Sequence, residues 1–117
     1  MIDDKAHELG RLLGQTEEYR ALVRATDRLK ADPEVQKLLA DVERLAQAME
    51  RAAQGGHEPS REQVDEYDRA LQTAQTSPVY QQVVAAQANF EKLMAKVNAR
   101  IYDGIKKGAA SPIITLS

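Results

Sequence analysis

Apolar residues recur at alternating steps of three and four along most of the chain, with charged residues between them, which is the period of amphipathic helices. The clearest stretch lies between Pro33 and Gln54, where the apolar positions are Val35, Leu38, Val42, Leu45, Met49 and Ala52. A later stretch repeats the spacing with Val64, Tyr67, Leu71 and Ala74. The first stretch predicts a helix that packs against another long helix and builds the core within the chain.

Short polar residues and prolines mark where the helices begin. Asp32 stands before Pro33, and Ser60 stands three residues before Gln63, which are N-cap and capping-box patterns. Thr16 provides a similar cap further upstream. Together these signals predict five helices, which begin at Asp3 or Asp4, after Thr16, at Pro33, after Ser60 and at Pro78.

The fold class predicted from these signals is all-α. We expect a helical hairpin or bundle of about five helices, with long third and last helices and no strands. Residues 1–108 are assigned to a single helical domain, because Gly108 is expected to end the last helix. Residues 109–117 form a short C-terminal tail that contains the apolar run Ile113–Leu116.

The last helix is too long for a compact chain of 117 residues. A helix of about 30 residues is about 45 Å long, whereas a compact domain of this size has a radius of gyration of about 13 Å and a diameter near 35 Å. Its overhanging apolar positions need cover, so we expect a homodimer or higher oligomer. The predicted self-association residues are Phe90, Leu93, Val97, Ile101 and Ile105. The alternative is a kink near Gly104, with the tail folding back over the exposed end.

Charge is distributed unevenly around a net value of −2. Residues 79–107 contain five basic and two acidic side chains, and Lys92, Lys96 and Arg100 recur every four residues. This stripe is either a solvated helix face or a docking site for an acidic protein surface or RNA phosphates. We rank a protein partner, of unknown identity, above nucleic acid, because only Tyr102 is an aromatic residue suited to base stacking there.

No residue set typical of catalysis or metal binding stands out. The chain has no cysteine, which excludes disulfides, thiolate metal sites and a Cys nucleophile. His7 lies one turn from Asp3 and Asp4, but further ligands are lacking, and His57 is assigned to a solvated loop. Acidic side chains between Glu62 and Asp68 fit the first turns of a helix. We therefore predict no catalytic residue, no metal site, no cofactor and no enzymatic activity.

The sequence pattern shows neither a signal peptide nor a membrane-spanning segment. The first residues do not show a basic segment leading into an apolar run. No stretch approaches the ~20 apolar residues that span a bilayer. We therefore expect a cytoplasmic protein without membrane insertion.

The combination of Thr16-Glu17-Glu18-Tyr19, Asp32-Pro33-Glu34-Val35 before a heptad helix, and a last helix ending in Ile101-x-x-x-Ile105 resembles the YlbF/YmcA family of small bacterial helical proteins. The resemblance covers about residues 1–107 and extends to the cysteine-free YheA-like members. It implies an all-α fold that dimerises through long helices.

The resemblance also implies a regulatory role. Some members of that family regulate competence, sporulation and biofilm formation, in a complex that adjusts RNA processing by the membrane-anchored ribonuclease Y. Those members are linked to iron–sulfur clusters bound through cysteines, which this chain does not have. We expect a non-enzymatic regulatory or adaptor protein that acts by protein–protein contact. The alternative is an RNA-associated factor that uses the basic last helix.

Overall fold

The computed structural model describes residues 1–110, which form five α-helices and the turns between them. Residues 1–110 contain no strand, so the all-α prediction is confirmed, as are the long third and last helices. The predicted apolar run of the tail lies outside the described residues. The helices are α1 (Ile2–Gly14), α2 (Glu17–Ala31), α3 (Pro33–Gln54), α4 (Arg61–Gln75) and α5 (Pro78–Ala110).

The helix starts follow the capping residues. The Asp32 carboxylate accepts hydrogen bonds from the backbone N–H groups of Glu34 at 3.1 Å and Val35 at 3.2 Å. At the start of α4, the Gln63 backbone N–H donates to the Ser60 hydroxyl at 3.1 Å, and the Ser60 N–H donates to the Gln63 side chain at 3.0 Å. Each bond satisfies a backbone donor that the first helical turn leaves unpaired.

Two predicted helix ends are wrong. α1 begins at Ile2, before the two aspartates. α5 continues to Ala110 and does not stop at Gly108, and it is one continuous helix through Gly104. A glycine inside a helix costs only about 1 kcal/mol relative to alanine, which is too little to end a helix that favourable neighbours extend on both sides. By contrast, Gly56 adopts φ +80° just after α3, where the chain turns.

α2 and α5 form one antiparallel pair. Arg28 near the end of α2 lies beside Gln82 near the start of α5, while Tyr19 near the start of α2 packs on Phe90. The buried cluster between the two helices consists of small and medium side chains. It contains Ala25, Val83 and Ala86, with Leu22 and Leu29 packed against it.

α3 and α4 form the second pair. Val35 and Leu45 are buried on α3, and Ala74, only 1% exposed, is the most buried apolar residue. The rest of the heptad face of α3 is half-buried. The prediction that this face of α3 packs within the chain is therefore correct, and its partner is α4. The buried cluster of Ala25, Val83 and Ala86, however, lies between α2 and α5.

The chain is elongated, in line with the expectation that the last helix is too long for a compact domain. The radius of gyration is 21.9 Å and the extents are 68 × 36 × 19 Å. The longest dimension exceeds the ~50 Å length of α5, so the two helix pairs do not lie side by side in one bundle. The smallest dimension is about two helix diameters of 10–12 Å. A molecule only two helices thick has no place for a deep core, which explains why the buried residues are few.

Candidate interaction surface

An open apolar depression, here called the α1–α5 crevice, separates α1 from the C-terminal half of α5. One section of about 420 Å³ is lined mainly by apolar residues of α1 and by Ile101. A second section of about 370 Å³ is lined by Leu9, Val97 and Ile101, with Lys96 and Arg100 at its edge. Leu9 and Ile101 line both sections, so the crevice is continuous. The apolar residues that line it at this end of the chain are Met1, just before α1, and Ile2, Ala6 and Leu9 of α1.

The predicted self-association residues become more exposed along α5. Phe90 packs on Tyr19, with ring centroids 5.5 Å apart. Leu93 and Val97 are half-buried, Ile101 is 46% exposed and Ile105 is 57% exposed. The exposure rises because α2 begins only at Glu17, which lies near Lys96 of α5. Beyond Lys96 the crevice separates α5 from α1.

A second depression, here called the α2–α5 groove, runs along the antiparallel pair. Its two sections of about 300 and 290 Å³ both include Ala21 and Asn89, so they are continuous. Small residues of both helices lie at its base, and charged residues lie along its edges. The cationic residues that line it are Arg24 and Arg28 of α2 and Lys92 and Lys96 of α5, and the anionic ones are Glu17 and Glu18.

The three residues of the predicted docking stripe have no carboxylate partner within residues 1–110. Lys92, Lys96 and Arg100 form no salt bridge there, whereas Lys107 lies 3.4 Å from the Asp103 carboxylate. Lys92 and Lys96 line the α2–α5 groove, and Lys96 and Arg100 border the α1–α5 crevice. The structure thus places the stripe between two depressions of different character.

The α2 cations meet different partners. Arg24 forms an ion pair with Glu17. Arg28 donates a hydrogen bond to the Gln82 side-chain oxygen at 3.3 Å. This second bond joins the two helices across the end of the α2–α5 groove, whereas the first lies within α2.

Sequence reasoning missed the contribution of α1 and α2 to both depressions. Arg20, Arg24 and Arg28 repeat every four residues on α2, as Lys92, Lys96 and Arg100 do on α5. These two basic stripes of equal spacing were visible in the sequence. The sequence did not show that α2 pairs with α5, because that pairing depends on contacts between residues more than 50 positions apart.

Ionisable groups elsewhere form local pairs. Arg11 donates to the Glu8 carboxylate one turn away, and this bond lowers the pKa of Glu8 and raises that of Arg11. In α4, Arg69 Nε donates to the Asp65 backbone carbonyl at 3.4 Å. Within residues 1–110 no three His, Asp or Glu side chains are grouped closely enough to hold a metal ion.

Among the helices of residues 1–110, none has the length and apolar character needed to cross a membrane.

Comparison with known proteins identifies similar chains. A family model described as "Control of competence regulator ComK, YlbF/YmcA" matches residues 2–106. A UPF0342 protein of Bacillus licheniformis is 22% identical over 111 residues, which cover 95% of each chain. A UPF0342 protein of Leuconostoc citreum is 25% identical over 97 residues, which cover 83% of this chain and 82% of that protein. A UPF0342 protein of Limosilactobacillus fermentum is 28% identical over 97 residues, which cover 83% of this chain and 81% of that protein.

Proposed function

This chain belongs to the YlbF/YmcA family, and on that premise we propose that it is a non-enzymatic cytoplasmic regulatory protein that acts as an adaptor through protein–protein contact. The α1–α5 crevice carries the proposal. Apolar side chains of two helices face an open space there, and the apolar stripe of α5 continues past it to Ile105. Monomers rarely leave such a contiguous apolar surface exposed.

A second copy of the chain is the proposed cover for the crevice. The isolated chain exposes 9229 Å², whereas a compact monomer of 13.0 kDa exposes about 6,300 Å². The difference of about 2,900 Å² reflects the elongated shape, and it leaves room for the about 1,000–2,500 Å² that an obligate homodimer buries on each subunit. In this arrangement Val97, Ile101 and Ile105 lie in the interface, and Lys92, Lys96 and Arg100 at its edge dock a further protein.

Light scattering during size-exclusion chromatography tests the self-association. The wild type is expected at twice 13.0 kDa or a higher multiple. Ile101→Asp should dissociate it, because a carboxylate buried in an apolar interface is costly. Val84→Asp is the matched control, since Val84 lies on the same helix and is 47% exposed against 46% for Ile101. A wild type that stays at 13.0 kDa at micromolar concentration contradicts the self-association.

An RNA-associated factor is the second candidate, and the unpaired state of Lys92, Lys96 and Arg100 within residues 1–110 favours it. Two features speak for a protein instead. Glu17 and Glu18 line the same groove section as Lys92 and Lys96 and repel phosphates. The second feature is that no aromatic residue lines the groove section that contains Lys92 and Lys96, so no base can stack there. Salt-dependent RNA binding that loses up to about 2 from its logarithmic salt slope in the triple alanine variant would favour RNA.

A further inference from the structure

We propose that the α2–α5 groove binds an extended, acidic segment of a partner protein, about six residues long. The inference rests on the proposed adaptor function and names the chemistry of its partner. It also adds two α2 residues, Arg24 and Arg28, to the binding surface. The groove is separate from the apolar α1–α5 crevice, although Lys96 borders both.

The charge of the groove favours an acidic ligand. Four cations and two carboxylates line it, which leaves a net charge of +2. One carboxylate, Glu17, is already paired with Arg24. Lys92 and Lys96 have no carboxylate within 4.0 Å among residues 1–110, and Arg28 has only the neutral Gln82 amide. Three cations are therefore free to pair with carboxylates of a ligand.

The spacing of the cations gives the length of the ligand. Arg28 lies at the Gln82 level of α5, and Lys96 lies at the other end of the groove. These two levels are about 21 Å apart along α5 at 1.5 Å per residue. An extended chain covers that distance in about six residues at 3.3 Å each. A ligand with carboxylates at both ends of six residues reaches Arg28 at one end and Lys92 and Lys96 at the other.

The base of the groove suits an extended backbone. Ala25 and Ala86 are buried there and Ala21 is half-buried, and their short side chains allow a ligand backbone to come close. The Asn89 amide lines both sections and provides a donor and an acceptor for a ligand peptide group.

The same groove disfavours nucleic acid. Glu17 and Glu18 stand beside the two lysines at one end, and a polyanion with one phosphate per nucleotide brings charge into their reach. An acidic peptide brings carboxylates to that end only where Lys92 and Lys96 can pair with them, and it places neutral residues along the rest of the groove. The residues that line the groove also include no aromatic ring on which a base could stack.

A fluorescein-labelled hexapeptide of sequence Asp-Glu-Ala-Ala-Asp-Glu, acetylated and amidated at its ends, tests the proposal. Its amide counterpart, Asn-Gln-Ala-Ala-Asn-Gln, is the neutral control. Fluorescence anisotropy against the full chain in about 50 mM salt should show saturable binding of the acidic peptide only. Proton–nitrogen correlation spectra should show the Asn89 side-chain amide shifting with the acidic peptide, with the same midpoint.

Matched variants locate the binding. Arg28→Gln with Lys92→Gln removes one free cation from each helix and should weaken binding at least tenfold. Lys37→Gln with Lys106→Gln removes the same charge from exposed positions elsewhere and should leave the affinity within twofold. Equal loss in both double variants, shifts confined to the α1–α5 crevice, no saturable binding, or tighter binding of a uridine hexanucleotide overturns the proposal.

The test is independent of self-association. Light scattering on the Arg28→Gln, Lys92→Gln variant should give the wild-type mass, and Ile101→Asp should keep the peptide affinity. Failure of the peptide test with the oligomer intact therefore removes the groove ligand alone. Failure of the oligomer test with peptide binding intact removes the self-association alone.

Discussion

Tyr19 and Phe90 lie with their ring centroids 5.5 Å apart and their planes inclined at 58°. This tilted contact joins the first turn of α2 to α5. Phe90 is the only phenylalanine of the chain. Beyond it Leu93 and Val97 are half-buried, and only Ile101 and Ile105 are exposed, so the aromatic pair lies close to the end of the packing between α2 and α5.

Replacing Phe90 with alanine should lower the free energy of unfolding by about 2 kcal/mol. A fully buried Phe→Ala change costs about 3–5 kcal/mol, and Phe90 is half-buried. The measurement is urea denaturation followed by circular dichroism, at fixed protein concentration. Tyr102→Ala is the control, because Tyr102 on the same helix is 65% exposed and its loss should cost less than about 0.5 kcal/mol. Equal losses would mean that the pair does not join the helices.

Replacing Ala74 with leucine should destabilise the chain by about 1–3 kcal/mol, the cost of forcing extra atoms into a packed site. Ala74 is 1% exposed in α4, the helix that pairs with α3. Ala40→Leu makes the same chemical change at an exposed position of α3, and helix propensity hardly differs between the two residues. Urea denaturation of both variants checks the difference. If both unfold at the wild-type midpoint, then α3 and α4 are not closely packed at Ala74.

Replacing Asp32 with alanine should cost about 1–2 kcal/mol, because its carboxylate caps two backbone N–H groups and meets the positive end of α3. Ser77→Ala is the comparison. The Ser77 hydroxyl stands before α5 but lies 3.5 Å from the Tyr80 nitrogen, the longest of these capping contacts. Thermal unfolding should therefore show a clearly larger drop in Tm for Asp32→Ala than for Ser77→Ala. The reverse order would contradict the geometry of the caps.

The starts of α2, α3 and α4 were predictable because their causes are local. Asp32, Ser60 and Thr16 each cap a backbone N–H group no more than three residues ahead, so the sequence contains both partners. Gly108 misled because a glycine permits a helix to end without requiring it.

The pairing of the helices was less predictable for a physical reason. The cluster between α2 and α5 is built on Ala25 and Ala86, and alanine contributes little to a periodic apolar pattern because it is common on every face of these helices. Larger residues make the heptad face of α3 more conspicuous, although much of that face is only half-buried. The docking stripe on α5 was visible in the sequence, but its α2 counterpart depended on the pairing.

The exposed pair of Glu8 and Arg11 should make α1 sensitive to acid. Arg11 donates to the Glu8 carboxylate and lowers its pKa. A carboxyl whose pKa is lower in the folded chain contributes stability that is complete above its usual pKa of about 4.3 and is lost as the pH falls through the lowered value. Carbon-13 NMR titration of the Glu8 carboxyl should give a pKa below the usual value in the wild type. In Arg11→Gln the pKa should return towards it. An unchanged Glu8 titration in Arg11→Gln would show that the hydrogen bond does not persist in solution.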